Sequence, residues 1–576
     1  MTKKNILLSL FILANLCLYS QISKEEYHYL ESQIPKEKVQ LHTNTNLLVT
    51  GEFLYYQITA LNTETSTFSD ISKITYVELI GADKKVLFKQ KLKSDNGISF
   101  SEFFIPPTIK TGQYKLIAYT NWAKNNILDS FYEKDIYIIN PFSNDHQLKP
   151  STESDINSVE ISKRDQELND ISKVSNNPIS VSTNKSTYNS REKVTINIEK
   201  NKFNSYNGNY SLSVRKMDSV SVSKELKTSS VSKPPRNTYF LPELRGDIIT
   251  GKLSADSADV SVSNKQVSLS IPGSDFLFKN SKTNASGEFY FVLSKDYTAS
   301  NALLQVQESN YQDYNLHLNE EGFDEYTDFT FKSIKLNPNI RDWIKTRSIK
   351  NQIENAYLIS KTDSISQNFI HEPFFNSLQT RFILDDFNRF PTIRETFTEI
   401  ILTASISKKG DNYVFQVTDY KNFNINNILD SRPLVLCDGI LIEDNNQIIN
   451  YDADKIFSIS TVSGIYIYGS KIYNGIISIA TKKSDFSLSR NIEKVQLLKP
   501  VENKIYYQPD YLTDTLSRIP DYRTQLLWKP NLTLSNDASK ELTFFTSDNH
   551  GLYEVVLEGY TTDGKHIKAI NYFNVN

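Results

Sequence analysis

Few side chains in this sequence are spaced for chemistry. His317 and Glu320 have the separation of half a zinc site, but Tyr314 to Leu318 alternates like a strand and no third ligand accompanies them. His371-Glu372 could begin a His-Glu-x-x-His helix. Pro373 follows at once and no second His stands at the required position, so that site is excluded. Asn450, Asp452 and Asp454 could offer oxygens to calcium, or could form a solvated turn; a full site needs about 6 to 8 oxygens. Cys437 reads as a small buried hydrophobe. There is no G-x-S-x-G elbow, no phosphate loop and no G-x-G-x-x-G. The expectation is a protein without catalytic residues, cofactor or metal, and not an enzyme.

Tyr466, Tyr468 and Tyr473 are the candidate interaction residues. The first two alternate along a strand-like run, so they share a face. That face is either an exposed binding patch or packed core, and alternation alone leaves both open.

Around these residues the chain reads as β-structure. Tyr and Phe are abundant (33 and 32), which suits half-buried strands, and Ser, Thr and Asn supply turns. Between 37 and 141, the segments Phe53 to Leu61, Ile74 to Ile80, Lys85 to Leu92 and Tyr114 to Thr120 are strands separated by turn clusters. Residues 142–177 are polar, charged and poor in aromatics, as a linker would be. Thr43-Asn44, Thr50, Glu52, Leu54 and Ile58 then recur as Thr183-Asn184, Ser190, Glu192, Val194 and Ile198, an ungapped internal repeat that implies a second related β-region at 178–236. A third β-region spans 241–336; its Thr283 to Phe291 stretch reads as a hairpin with Gly287 at the turn. One helix is predicted at 338–362, with Ile349, Ile353, Ala356 and Tyr357 in helical spacing after an Asn337-Pro338-Asn339 start. Residues 385–485 mix helix and strand, and 519–576 return to strands as a C-terminal β-domain.

The N-terminus predicts export. Lys3 and Lys4 precede an apolar run from Ile6 to Leu18, about 13 residues, which is signal-peptide length and short of a membrane span. Residues 1–20 are the expected signal peptide. Leu16 before Cys17 argues against a lipid anchor. No later stretch is apolar enough to span a bilayer, so the mature chain carries no predicted transmembrane segment. Cys437 is then the lone cysteine, which excludes an intrachain disulfide. A net charge of -3 gives no reason to expect nucleic acid.

Three segments resemble known families. Glu37-Lys38-Val39, Leu41-His42-Thr43, Thr50-Gly51-Glu52, Gly112-Gln113-Tyr114 and Ala118 to Trp122 resemble the macroglobulin-type (MG2-like) domains of exported Bacteroidota proteins. The repeat looks like a second such domain, with Arg191 in place of Gly51. Leu241 to Gly246, Gly251 and Gly287-Glu288-Phe289 resemble a carboxypeptidase-regulatory-like sandwich, a fold name that implies no peptidase activity. Arg432 to Gly439, Tyr468 to Lys471, Asn474 to Ile477 and Thr481 to Lys483 resemble the plug of TonB-dependent receptors, with Asp438-Gly439 and Asn474-Gly475 as hairpin dipeptides. Protease-trapping macroglobulins carry a Cys-Gly-Glu-Gln thioester. Here Cys437 precedes Asp438-Gly439-Ile440, so that bond is excluded. Only 94 residues follow Lys482, too few for the barrel of a transporter. Gly551-Leu552-Tyr553 and Asp563-Gly564-Lys565 resemble sorting domains of the type 9 secretion route, which would place the protein at the cell surface.

The resulting expectation is a mainly β protein: tandem macroglobulin- or Ig-like β-sandwiches plus a small α+β plug-like domain, without a β-barrel. Its expected role is a non-catalytic binding protein or scaffold in the periplasm or at the outer membrane. The expected partner is an outer-membrane or envelope protein, either a barrel or a secretion component. The alternatives are a protease inhibitor without thioester and a surface glycan-binding protein.

Overall fold

The structure is a computed structural model that describes residues 34–125, 131–143, 158–164, 178–200, 206–223, 240–297, 299–322, 326, 329–365, 372–418, 432–488, 492–512, 518–535 and 539–576. The expected signal peptide at 1–20 and His371 lie outside the described residues, as do 144–157 and 165–177 of the expected linker. The protein is mainly β, built of tandem sandwiches with one α+β module. No sheet among the described residues closes into a barrel.

The first sandwich packs a three-stranded sheet (Glu37–Thr43, Phe53–Asn62, Ile98–Phe104) on a six-stranded one. In the larger sheet Ile74–Ile80, Val86–Lys93, Gly112–Tyr119 and Tyr132–Ile139 are joined by Leu47–Val49 on one edge and Pro500–Val501 on the other. Alternation along Glu37–Thr43 buries every second side chain, and Val39, Leu54, Tyr56, Val77 and Leu116 fill the space between the sheets.

The second sandwich follows the same plan at the repeat offset. Thr43 pairs with Tyr56, and Thr183 pairs with Ile196, each partner 140 positions on. Asn44 Oδ1 accepts from the Tyr55 amide at 3.0 Å, as Asn184 Oδ1 does from Thr195 at 2.9 Å. Glu52 and Glu192 each accept from the amide three residues earlier. Gly51 has φ +91° and Arg191 has φ +58°, so both occupy the left-handed region. A non-glycine residue is strained there. Arg191 is held by its guanidinium, which grips Asp548 at 2.7 and 2.6 Å.

This second sandwich is discontinuous. Ile179–Thr183 and Lys193–Lys200 share a sheet with Ser539–Phe545, and Gly208–Lys216 lies between Gly551–Thr561 and Gln525–Leu534 in a five-stranded sheet. The C-terminal strands therefore do not form the separate domain expected at 519–576; they complete the β-region that begins at 178. The described residues between Lys216 and Gln525 are an insertion between two neighbouring strands. Gly551-Leu552-Tyr553, expected as a sorting feature, matches Gly112-Gln113-Tyr114 in place: the Tyr553 hydroxyl donates to Asn549 O and that of Tyr114 to Lys110 O, each four residues back.

The third module is also a sandwich. Asp247–Ala255 lies between Glu288–Leu293 and Tyr314–Leu318, and Gln266–Ile271 between Leu277–Lys282 and Asn301–Val306, with Glu493–Gln496 on the outer edge. The expected hairpin around Gly287 is absent. Leu277–Lys282 and Glu288–Leu293 belong to opposite sheets, so the turn is a crossover, because both strands find better partners elsewhere. Within the expected linker, Ser158–Lys163 forms a strand between Val220–Val222 and Ser333–Leu336. Val159 and Ile161 there join Leu47, Val49, Val220 and Leu336 in a small core, which is what draws a polar segment into a sheet.

A 3-10 turn at Pro338–Ile340, capped by the Asn337 side chain, leads into helix α1, Arg341–Ala356. The last module has a five-stranded sheet of Thr380–Ile383, Ile456–Tyr468, Lys471–Thr481, Leu434–Cys437 and Ile440–Leu441. Leu434–Cys437 runs parallel to Ile476–Ile479. Asp438 and Gly439 both have positive φ and turn the chain, as their sequence predicts. Asn474-Gly475 does not turn. It lies inside Lys471–Thr481, where the register shifts between Val462 and Ile465, and the hairpin reverses at Gly469-Ser470 instead.

Candidate interaction surfaces

The hairpin formed by Ile456–Tyr468 and Lys471–Thr481 has two faces with different fates. Tyr466 and Tyr468 point to one side and pack on Phe374; the Tyr468 and Phe374 rings stack with centroids 4.1 Å apart. Tyr468 donates to Phe278 O at 2.5 Å and Tyr466 to Phe374 O at 3.2 Å. Tyr473 is 3% exposed and accepts from Asn280 Nδ2 at 2.9 Å. Burial pushes its phenol up to about 12. The structure thus brings the three predicted tyrosines together, but as an internal seam against the third module rather than an open patch. Two turn glycines let the modules approach: a Cβ on Gly439 would strike Phe276, and one on Gly469 would strike Asn280.

The opposite face of the same hairpin is open. Ile465, Ile467 and Ile472 are 47%, 71% and 43% exposed. Ile467 lies directly across from Ile472 in the ladder, so the three form one apolar surface at the hairpin tip. Tyrosine spacing left both readings of that face open, and the structure packs it. The strand period does reveal the isoleucines as its complement, but not which face is covered.

A second feature lies where α1 meets both large sandwiches. The apolar series Ile349, Ile353 and Tyr357 is not what docks the helix; Ile349 is 48% exposed. The buried positions are Ile344, Arg347, Ser348 and Asn351, which lie at i, i+3, i+4 and i+7 on one largely polar face. Arg347 bonds Glu52 of the first sandwich through Nε and Asp218 through Nη1 at 2.6 Å. Arg215 of the second sandwich bonds Asp218 at 2.8 Å and faces Glu52 at 3.9 Å. Asn355 Nδ2 donates to Gly51 O at 3.1 Å. Burial would raise the Asp218 carboxyl, but Arg347 and Arg215 outweigh it and hold the group below its ordinary range.

The sandwiches also meet directly. His42 shares a 2.5 Å hydrogen bond with Ser211 and lies 3.4 Å from Glu558. Burial lowers its imidazole to about 3 against the pull of Glu558, so it is neutral at ordinary pH. Beside this seam a cleft with about 150 Å³ of room for solvent is lined by Tyr55, Tyr506, Tyr522, Trp528 and Gln525. Trp528 is buried, and its Nε1 has no hydrogen-bond partner.

The remaining candidates lie apart from these surfaces. His317 stands on Tyr314–Leu318, paired with Lys252. Asp452 Oδ1 accepts from the Asp454 amide at 3.0 Å and caps a 3-10 turn. Cys437 is a buried free thiol whose pKa burial raises. Among the described residues no group of three or more His, Cys, Asp or Glu is placed to hold a metal ion. Among them, too, no helix is long and apolar enough to cross a membrane.

The architecture defines a multi-sandwich β-protein whose second sandwich carries the other modules as an insertion. No family model matches the chain, and no curated protein matches it. Among solved structures it is similar to Escherichia coli alpha-2-macroglobulin activated by porcine elastase, at 9% identity over 94% of this chain and 44% of that one, with TM-score 0.24. A tetra-tandem repeat from the extending region of a large adhesion protein aligns at 8% identity over 94% of this chain and all of that chain, with TM-score 0.13. Dimeric latent PorU from Porphyromonas gingivalis aligns at 11% identity over 94% of this chain and 34% of that chain, with TM-score 0.15. The chain spans less than half the length of the macroglobulin it matches. At these scores the likeness carries no functional argument.

Proposed function

We propose that this chain is an exported, non-catalytic scaffold that acts in the periplasm or at the outer membrane by binding an envelope protein, either a barrel or a secretion component. The observation that carries the reading is the exposed Ile465, Ile467 and Ile472 face on a hairpin whose other side is fixed by Tyr466, Tyr468 and Tyr473. A rigidly backed apolar face is costly to leave in water and suited to docking. The naming of 37–141 as MG2-like, of 241–336 as carboxypeptidase-regulatory-like and of 385–485 as plug-like belongs to this proposal. The Asp438-Gly439 turn beside the parallel Leu434–Cys437 pair supports the last of these. Affinity purification of the tagged chain from gently solubilised outer membranes tests it. A stoichiometric envelope protein, lost with Ile467→Glu at unchanged melting temperature, is expected. An empty purification, or an unaffected one from the variant, overturns the reading.

A second reading, glycan binding, is favoured by the aromatic cleft and its unpartnered Trp528 Nε1. A glycan array without a hit removes it.

A further inference from the structure

Towards the N-terminal end of α1 from the aromatic cleft lies a larger one, with about 400 Å³ of room for solvent. Its walls include Arg164, Lys216, Arg347, Lys350 and Trp343, contributed by three separate segments of the chain. Its acid, Asp218, is already committed to Arg215 and Arg347 at 2.8 and 2.6 Å. Lys350 Nζ reaches Asn549 Oδ1 at 2.5 Å and lies over the Tyr522 ring. Lys216 lies against Gly551, where a Cβ would come within 3.3 Å of its Cε, and both residues line the cavity. No ion pair to a carboxylate is formed by Arg164, Lys216 or Lys350 among the described residues.

Cations held together without counter-ions repel, and the repulsion grows as water is excluded. The titration of the lysines agrees. Burial, then Lys350 and Arg347, press Lys216 down to about 8, with Asp218 too weak to reverse it. Burial and Arg347 also lower Lys350. A carboxylate would answer one ammonium. A phosphate offers several acceptor oxygens and close to two charges, which matches two ammonium groups and a guanidinium around one cavity.

We propose that this cleft binds a phosphate group, with Lys216 and Lys350 as its principal donors, Arg164 at the mouth and Trp343 walling the space for what the phosphate carries. Two sources share this chemistry: a soluble phosphate or phosphate ester, and the headgroup of an anionic lipid. The site is independent of the isoleucine face and does not rest on the scaffold reading.

The experiment uses the full mature chain and inorganic phosphate, with sodium chloride at matched ionic strength as the control. Phosphate is expected to raise the melting temperature in a saturable way at pH 7, with calorimetry giving the affinity. The double variant Lys216→Met with Lys350→Met is expected to bind about a hundredfold more weakly or worse, since each lost charged donor costs about tenfold or more. That variant is expected to be at least as stable as the parent without phosphate, because it removes the crowding; this separates lost binding from lost fold. Binding is expected to weaken above pH 8 as Lys216 loses its proton. Co-sedimentation with vesicles containing phosphatidic acid, competed by free phosphate, assigns the lipid source; phosphate binding without co-sedimentation assigns the soluble one. A melting shift no larger than that from chloride, or an equal shift in the double variant, overturns the proposal.

Discussion

Two buried charge clusters weld this molecule together, and they are balanced differently. At α1, two acids, Glu52 and Asp218, face two guanidinium groups, Arg215 and Arg347. At the junction of the first and third sandwiches, Lys91 serves Asp247 at 2.8 Å and Glu321 at 2.5 Å, with Lys89 also acting on Glu321 and Glu243 close by as a third acid. Lys91 and Glu243 are wholly buried. Glu243 accepts from Tyr76 at 3.0 Å on one oxygen, while its other oxygen has no partner. Burial, then Asp247, push its carboxyl up to about 8. The balanced cluster needs no proton to be neutral. The unbalanced one retains a proton at neutral pH. Charge counting within a closed space, rather than the number of ion pairs, decides whether a junction responds to pH.

Breaking the balanced cluster should have the largest effect. Arg347→Met leaves Glu52 and Asp218 with only Arg215, and stability in urea should fall by about 3–5 kcal/mol. A loss under about 1 kcal/mol would mean that Arg215 suffices alone. The unbalanced cluster is probed by Glu243→Gln. With a folded pKa near 8 above an ordinary value of 4.5, the parent should lose stability as pH rises through that window, because only the folded state keeps the proton. The variant should lack this slope and be more stable at pH 9 by on the order of 2 kcal/mol; parallel pH profiles would disprove the retained proton. His42 sharpens the comparison from the acid side. Its imidazole is lowered to about 3 from 6.5, so its contribution is full above 6.5 and lost as pH falls toward 3, where the unfolded chain alone takes up the proton. Melting of His42→Gln should show a shallower acid limb by about 1 kcal/mol. The uncharged tyrosine seam is the control. Tyr468→Phe removes one hydrogen bond to Phe278 O and should cost about 1 kcal/mol, equally at pH 6 and pH 8. A pH-dependent cost would show that the seam is electrostatically coupled to its neighbours.

Much of this design is local and therefore readable. The Asp438-Gly439 turn, the Asn337-Pro338 helix start and the strands of the first sandwich depend on backbone preference and short-range alternation. The repeat was legible as far as Ile198. Its remainder was not, because the strands that complete the second sandwich lie some 300 residues on, and pairing across that distance leaves no mark on spacing. The docking face of α1 was not legible because Arg347 and Asn351, which spacing rules treat as solvent-facing, find buried polar partners on another module. Asn474-Gly475 was misread because the same dipeptide suits a turn and a bulge.

The sequence by itself therefore determined the β class and the helix, since these follow from residue type and near-neighbour spacing. Only the tertiary structure decided which hairpin face is covered, how the buried acids are paired and where, among the described residues, Arg164, Lys216 and Lys350 line one cleft without an ion pair to a carboxylate. Those properties arise between segments far apart in the chain, where burial and proximity, and not composition, set the energy.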